Sequence, residues 1–283
     1  MEVQRYLDPV AFRRDAASVL MASPGRNSLP LAVLQTLVAQ PDVYPDFHLW
    51  LALRDQAPVG LAMQTQPHNV IVADPIDPLA IESLAQAVLA DGDTIPGIVG
   101  NVPFAEEFSG HIAGVSGRRP ELIMGEGVWE LADVNDVPAV SGSARPAVGR
   151  DRDLVRAWIR AFAAEALPEH PRDDERTDAN IDHRLAGRGG GFWLWEDGEV
   201  VSLSGHHDVP RVGSRIGPVY TPAEHRGRGY ATRLVAELSA ARLAMGDPAC
   251  FLFTDLANAT SNAIYERIGY VKLCDAQEYA FRD

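Results

Sequence analysis

The segment His225-Arg226-Gly227-Arg228-Gly229-Tyr230-Ala231 constrains this chain more than any other. It follows the apolar run Ile216-Gly217-Pro218-Val219-Tyr220-Thr221 and leads into a helical pattern from Thr232 to Met245. A strand, a glycine turn carrying two arginines and a helix start thus come in direct succession. The freed N–H groups of a helix's first turn, and the positive end of its dipole, attract anions. Gly227 and Gly229 let backbone approach a phosphate closely, and Arg226 and Arg228 add positive charge. The segment predicts a site for a phosphorylated ligand. It is not a P-loop, because no Gly-Lys-Ser/Thr follows, and the Gly-x-Gly-x-Ala spacing departs from the dinucleotide fingerprint.

Downstream, Cys250-Phe251-Leu252-Phe253-Thr254-Asp255 reads as a short buried strand. The stretch Asn258 to Tyr270 then reads as a capped helix. Asn258 is a good N-cap, Ile264 and Ile268 share a face, and Gly269 ends the helix in a left-handed cap. Such a helix does not by itself require Tyr265 one turn before the terminal glycine. Arg226-x-x-Gly229-x-Ala231, followed by Asn258-x-x-Ser261-x-x-Ile264-Tyr265-x-x-x-Gly269-Tyr270, resembles two ordered motifs of the GNAT superfamily of acyl-CoA-dependent N-acetyltransferases. The resemblance covers roughly residues 190–283; the Tyr220-Thr221-Pro222 and Arg226-to-Tyr230 wording is also similar to its glycine N-acyltransferase subgroup.

The resemblance implies acetyl-CoA as co-substrate. It puts the pantetheine along Val219, Tyr220 and Thr221, and the pyrophosphate on the amides of Arg226, Gly227, Arg228, Gly229, Tyr230, Ala231 and Thr232. Asn258 and Asn262 either contact the pantetheine or cap the helix. Val219 N–H is the implied oxyanion donor. Tyr265 is the implied general acid for the departing thiolate, its bland alternative being a core aromatic. For the general base, His207 follows the strand expected to end at Leu203, and Asp255 ends the strand opposite Val219. Each has a bland alternative, as surface histidine and as helix cap. The acidic stretch from Glu169 to Glu175 suits a cationic acceptor or is a solvated loop.

The chain has 283 residues and a formal charge of −14. Its length favours two modest domains, and its acidity argues against a nucleic-acid partner. No apolar run reaches membrane-spanning length and no signal-peptide pattern opens the sequence, so a cytoplasmic protein without membrane contact is expected. Cys250 and Cys274 read as reduced core residues, with no metal-ligand spacing and no bound metal expected.

Periodicity predicts helices near 8–22 and 28–40, strands near 47–53, 58–66 and 69–73, a helix at 77–90, a strand at 96–100, a helix at 103–114 and a strand at 121–132. After a Pro/Ser/Gly/Asp-rich stretch come a strand at 143–148, helices at 151–166 and 177–187, and a hairpin turning at Asp197-Gly198. The strand at 215–221 then opens the helix–strand–helix–strand order that closes the chain. The expected fold is α/β: tandem GNAT-like domains, each a mixed, mostly antiparallel twisted sheet flanked by helices. Residues 1–135 form a degenerate copy without a CoA site, 136–150 a linker, and 151–283 the acetyltransferase domain, its first strand beginning near 143. In the first copy Val70-Ile71-Val72-Ala73-Asp74-Pro75-Ile76-Asp77-Pro78 stands where the phosphate loop belongs. Its aspartates repel a pyrophosphate and its prolines lack N–H donors.

The expected activity is acetyl transfer from acetyl-CoA to a primary amine of a small molecule or peptide, by direct attack in a ternary complex. A longer acyl-CoA with an amino-acid acceptor, or a non-catalytic CoA sensor, is the alternative. The protein is expected to be a monomer or a homodimer.

Overall fold

A computed structural model describes residues 1–92, 94–168 and 173–282, in two compact units. The first gathers Met1–Val128, Phe253–Ala257 and Lys272–Asp283; the second gathers Trp129–Leu252 and Asn258–Val271. The units are therefore not two consecutive halves, because the C-terminal strand belongs with the first.

The first unit carries β1 (Glu2–Tyr6), α1 (Pro9–Asp15), α2 (Ala17–Ala22), α3 (Ser28–Ala39), β2 (Phe47–Arg54), β3 (Ala57–Thr65), β4 (Val70–Val72), α4 (Ala80–Ala90), β5 (Gly97–Asn101), α5 (Phe104–Ser116) and β6 (Arg119–Leu131). The expected helix at 8–22 is thus two helices, parted at Ala16. The sheet runs β1-β2-β3-β4-β5 and takes the C-terminal strand β12 (Val271–Arg282) next to β5, antiparallel, with Ala276 opposite Asn101. β4 and β5 are parallel. Period-two alternation along β2 feeds two cores. Leu49, Leu51 and Leu53 join Phe12, Val19, Leu34 and Leu37, whereas Trp50 and Ala52 join Leu84, Val88, Phe108 and Ile112. Helices cover both faces, and that is why β2 reads as a continuous apolar run.

The second unit carries β7 (Ser143–Pro146), α6 (Arg152–Ala166), α7 (Asp174–Leu185), β8 (Gly190–Asp197), β9 (Glu199–Val209), β10 (Gly213–Tyr220), α8 (Tyr230–Ala244), the start of β11 (Cys250–Asp255) and α9 (Ala259–Ile268). Its strand order is β11-β10-β9-β8-β7. The β8–β9 hairpin turns at Asp197-Gly198 as predicted, with Gly198 at φ 74°. Phe192 and Leu194 pack with Val155, Ile181 and Leu203 on one face; Trp195 packs with Tyr230 and Leu234 on the other. The stretch after β6 is packed rather than free. Val137 is buried, Trp195 Nε1 donates to the Ser141 carbonyl at 2.8 Å, and Val140 lies on the Trp195–Tyr230 cluster.

One irregularity positions everything that follows. β10 pairs with β9 from Gly213↔Val209 to Ile216↔His206, then slips and resumes at Val219↔Ser204. Gly217 and Pro218 are left out of the ladder, and Pro218 has no N–H to give it. The buried Arg184 of α7 fills the gap. Its Nη2 donates to the carbonyls of Gly191 at 2.9 Å and His206 at 3.0 Å, and to that of Gly217 at a longer 3.4 Å. Its guanidinium lies 3.8 Å from the centre of the Phe192 ring.

Gly205 makes room for this guanidinium, since a Cβ there would meet Arg184 Nη2 at 2.3 Å and the Gly217 carbonyl at 2.8 Å. Gly205→Ala should therefore destabilise the protein by about 1–3 kcal/mol, the usual cost of overpacking a filled site. Equilibrium urea unfolding measures it.

Candidate active site

The glycine turn forms as the sequence suggests. Gly227 and Gly229 take φ 76° and 83°, conformations that disfavour any side chain, and Gly229 is the N-cap of α8 with no capping side chain. Arg226 N donates to the Ala223 carbonyl at 3.3 Å, and the helix ladder starts with Arg233 N on Gly229 O at 3.0 Å. Among the described residues, the amides of Gly227 through Thr232 donate to nothing. A consecutive row of unspent N–H groups at a helix start is an anion site by construction.

The corresponding loop of the first unit differs in this respect. Asp74 N donates to Asn27 Oδ1, Ile76 N and Asp77 N to the Val59 carbonyl, Leu79 N to Asp77 Oδ1 and Ala80 N to the Asp77 carbonyl. Pro75 and Pro78 have no amide to offer. Asp74 itself is buried and takes Asn101 Nδ2 at 2.7 Å and Arg26 Nε. Every donor is spent, and a protein carboxylate already fills the place.

β10 meets β11 in parallel only at Ser214↔Cys250 and Arg215↔Phe251. Ser202 Oγ donates to the Tyr220 carbonyl at 3.3 Å, so that carbonyl faces β9. Alternation turns the Val219 N–H and C=O to the opposite edge, where β10 has no strand partner among the described residues. The side chains of Val219 and Tyr265 pack on the same core cluster.

Tyr265 is half-buried on α9, edge-on to Tyr270 at 5.8 Å. Burial pushes its phenol up to about 12. Its hydroxyl has no hydrogen-bond partner among the described residues. Asn258 caps α9, accepting Ser261 N at 3.1 Å, and its carbonyl takes Asn262 N at 3.1 Å.

The base candidates are placed differently from expectation. β9 runs on to Val209, so His207 is a strand residue opposite Arg215 and not part of a loop after Leu203. It lies three residues along β9 from Ser204, the partner of Val219, or about 10 Å in extended chain. Burial, with Arg184 and Arg215 adding to it, holds its pKa well below the usual histidine value. Asp255 lies in the first unit, where Oδ1 accepts Ala257 N at 2.8 Å. Glu169 to Arg172 lie outside the described residues. Both cysteines are free thiols, pushed up by burial to about 12 for Cys250 and about 11 for Cys274.

The FR47-like protein family matches residues 198–280, the stretch from β9 to β12. Mycothiol acetyltransferase of Streptomyces coelicolor is 30% identical over 122 residues, which is 41% of this chain and only 38% of that enzyme. The GCN5-related N-acetyltransferase of Sphaerobacter thermophilus shares the fold at TM-score 0.65 and 16% identity, covering 98% of this chain and 94% of that one. A tandem GNAT protein from the clavulanic acid biosynthesis pathway aligns at TM-score 0.60 and 13% identity, covering 99% and 98%. The chain is thus similar to an acetyltransferase over part of its length and to GNAT proteins in fold. Its fold is the tandem arrangement of GNAT-like domains.

Sequence reasoning missed three residues around the glycine loop. Glu165 of α6 accepts Arg226 Nη2 at 2.6 Å and the Tyr220 hydroxyl at 3.0 Å. Asp197 Oδ2 takes the Tyr230 hydroxyl at 2.5 Å and Ser141 Oγ at 2.7 Å, tying the hairpin tip to the helix start. Arg184 is the third. All are charged residues within polar helices or turns, and only tertiary contact distinguishes them from solvated ones.

The loop geometry also decides where a negative charge can be introduced. Asp at position 229 is compatible with a helix dipole, but φ 83° and Val140 Cγ1, 3.0 Å from where a Cβ would sit, make any side chain there costly. Ala231, inside the first turn and half-exposed, avoids that strain. Ala231→Asp should keep the apo melting temperature near the parent's while removing the rise on adding CoA. Gly229→Asp should lose both, as a thermal-shift series with and without CoA will show.

Proposed function

We propose that this chain is an acetyl-CoA-dependent N-acetyltransferase that acts on a primary amine by direct attack in a ternary complex. The observation that carries the reading is the unspent amide row from Gly227 to Thr232, joined to the open edge of β10 at Val219. A pyrophosphate fits the first, and a pantetheine, which carries amides of its own, fits the second as an added strand. The acetyl group is favoured by the name of the Streptomyces coelicolor relative.

In this mechanism the amine nitrogen bonds to the thioester carbonyl carbon while the C–S bond breaks. Val219 N–H, turned to the open edge, donates to the carbonyl oxygen as it gains charge. Tyr265, protonated throughout the physiological range because burial raises its pKa, gives its hydroxyl proton to the departing sulfur. The proton shed by the nitrogen passes to water, and water in turn reprotonates the Tyr265 phenolate. Neither the buried Cys250 nor the half-buried Cys274, both with thiol pKa values raised by burial, serves as an acyl-enzyme nucleophile in this scheme.

A screen for thiol release from acetyl-CoA against amines, amino acids, polyamines and aminoglycosides tests the activity; release with none of them sinks it. Tyr265→Phe should lower kcat about 10²–10⁴-fold with CoA affinity nearly intact. An unchanged kcat where chemistry limits the rate removes Tyr265 from the mechanism. The spent amides around Asp74 lead to one further expectation, a single CoA site per chain, which calorimetric titration counts directly.

A further inference from the structure

We propose that Glu165, Tyr220 and Trp158 form the subsite for a positively charged group of the acceptor, and that Arg226 occupies this subsite until donor phosphates draw it away. The inference rests on the acetyltransferase reading above.

Glu165 sits one residue before the end of α6, its side chain half-exposed. Its two oxygens accept from the Tyr220 hydroxyl and from Arg226. The Arg226 guanidinium lies 5.9 Å from the centre of the Tyr220 ring, and the ring of Trp158, also on α6, lies 6.0 Å centre to centre from it, the two planes tilted by 56°. A carboxylate beside aromatic rings is the chemistry that recognises a guanidinium or an ammonium. The protein's own guanidinium fills that role here, and it holds the carboxylate below its usual range.

Arg226 also belongs to the loop whose amides are free to take phosphates. A pyrophosphate offers a guanidinium more charge and more acceptor oxygens than one exposed carboxylate does. When Arg226 turns to it, Glu165 keeps its charge and loses its cation, next to the strand along which the thioester lies. A cationic acceptor then replaces Arg226. Donor and acceptor are coupled because each relieves the same contact, and the acidic chain favours the approach of cations.

Glu165→Gln keeps the size and the acceptor for Tyr220 but removes the charge. By calorimetry, CoA should bind this variant about two- to fivefold more tightly than the parent, since an exposed ion pair of this kind no longer competes. Agmatine, which bears a guanidinium and a primary amine, serves as the cation probe. It should bind the CoA complex of the parent more tightly than the free parent, and Glu165→Gln should abolish that difference. A purely structural salt bridge at the end of α6 would not raise CoA affinity when broken. The proposal is overturned if the variant binds CoA with equal or lower affinity, or if agmatine binding is the same with and without CoA. If the parent binds no CoA at all, the acetyltransferase reading itself has failed, a result distinct from either of these.

Discussion

An unpaired stretch inside a sheet is normally costly, because each buried backbone group without a partner forfeits a hydrogen bond. β10 contains such a stretch at Gly217-Pro218, and Arg184 makes it tolerable. One nitrogen of its guanidinium donates to carbonyls of β8, β9 and β10, while Phe192 stacks against the cation. At position 205 only glycine leaves space for it. With the slip fixed in this way, Tyr220 faces β9 and Val219 faces the other edge, so a backbone N–H and C=O are exposed at a defined place. The open edge is a product of the bulge, and the bulge is held by an arginine from the helix that precedes β8.

The same accounting of backbone donors separates the two copies of the fold. A strand, a short loop and a helix occur at 70–90 and again at 213–244. In the second copy two left-handed glycines spare the loop any internal acceptor, so its amides remain available. In the first, Asn27, Val59 and Asp77 take them all. Anion affinity is thus decided by which groups have already found partners, more than by the sign of the nearest side chains. Arg226, a cation of that loop, is itself paired with Glu165 and with the Thr221 carbonyl at 2.8 Å.

Much of this is legible in the sequence, and for local reasons. Alternation and turn residues reveal β8, its Asp197-Gly198 turn and the start of β9, because hairpin signals act over a few residues. The capped helix Ala259–Ile268 and the turn at Gly227 and Gly229 are equally local. The end of β9 is not. His206, His207 and Asp208 look like a polar loop, yet they continue the strand, held by Arg215 and Ser214 opposite them. The order of elements puts β12 at the close of the second domain, but it pairs with β5, more than 170 residues away in the chain, which no periodicity encodes. Glu165, Arg184 and Asp197 are invisible for a related reason: each matters through one partner far off in sequence.

On the proposed acetyltransferase reading, the placement of His207 bears on how an acceptor amine is made neutral. A histidine pushed well down by burial is unprotonated at neutral pH, the right state for a base, but it stands opposite Arg215 rather than near Val219. Glu165 is bonded to the Tyr220 hydroxyl, and in the free protein Arg226 holds its carboxylate below the usual range; once Arg226 turns to the donor, Glu165 serves as a cation ligand. His207 is set apart by its position, and Glu165 is proposed above as a ligand for charge rather than a base. An acceptor whose attacking amine is already partly neutral, and whose separate cationic group is held elsewhere, suits such a site better than a simple strongly basic amine, because binding the charge and losing the proton then fall to different atoms.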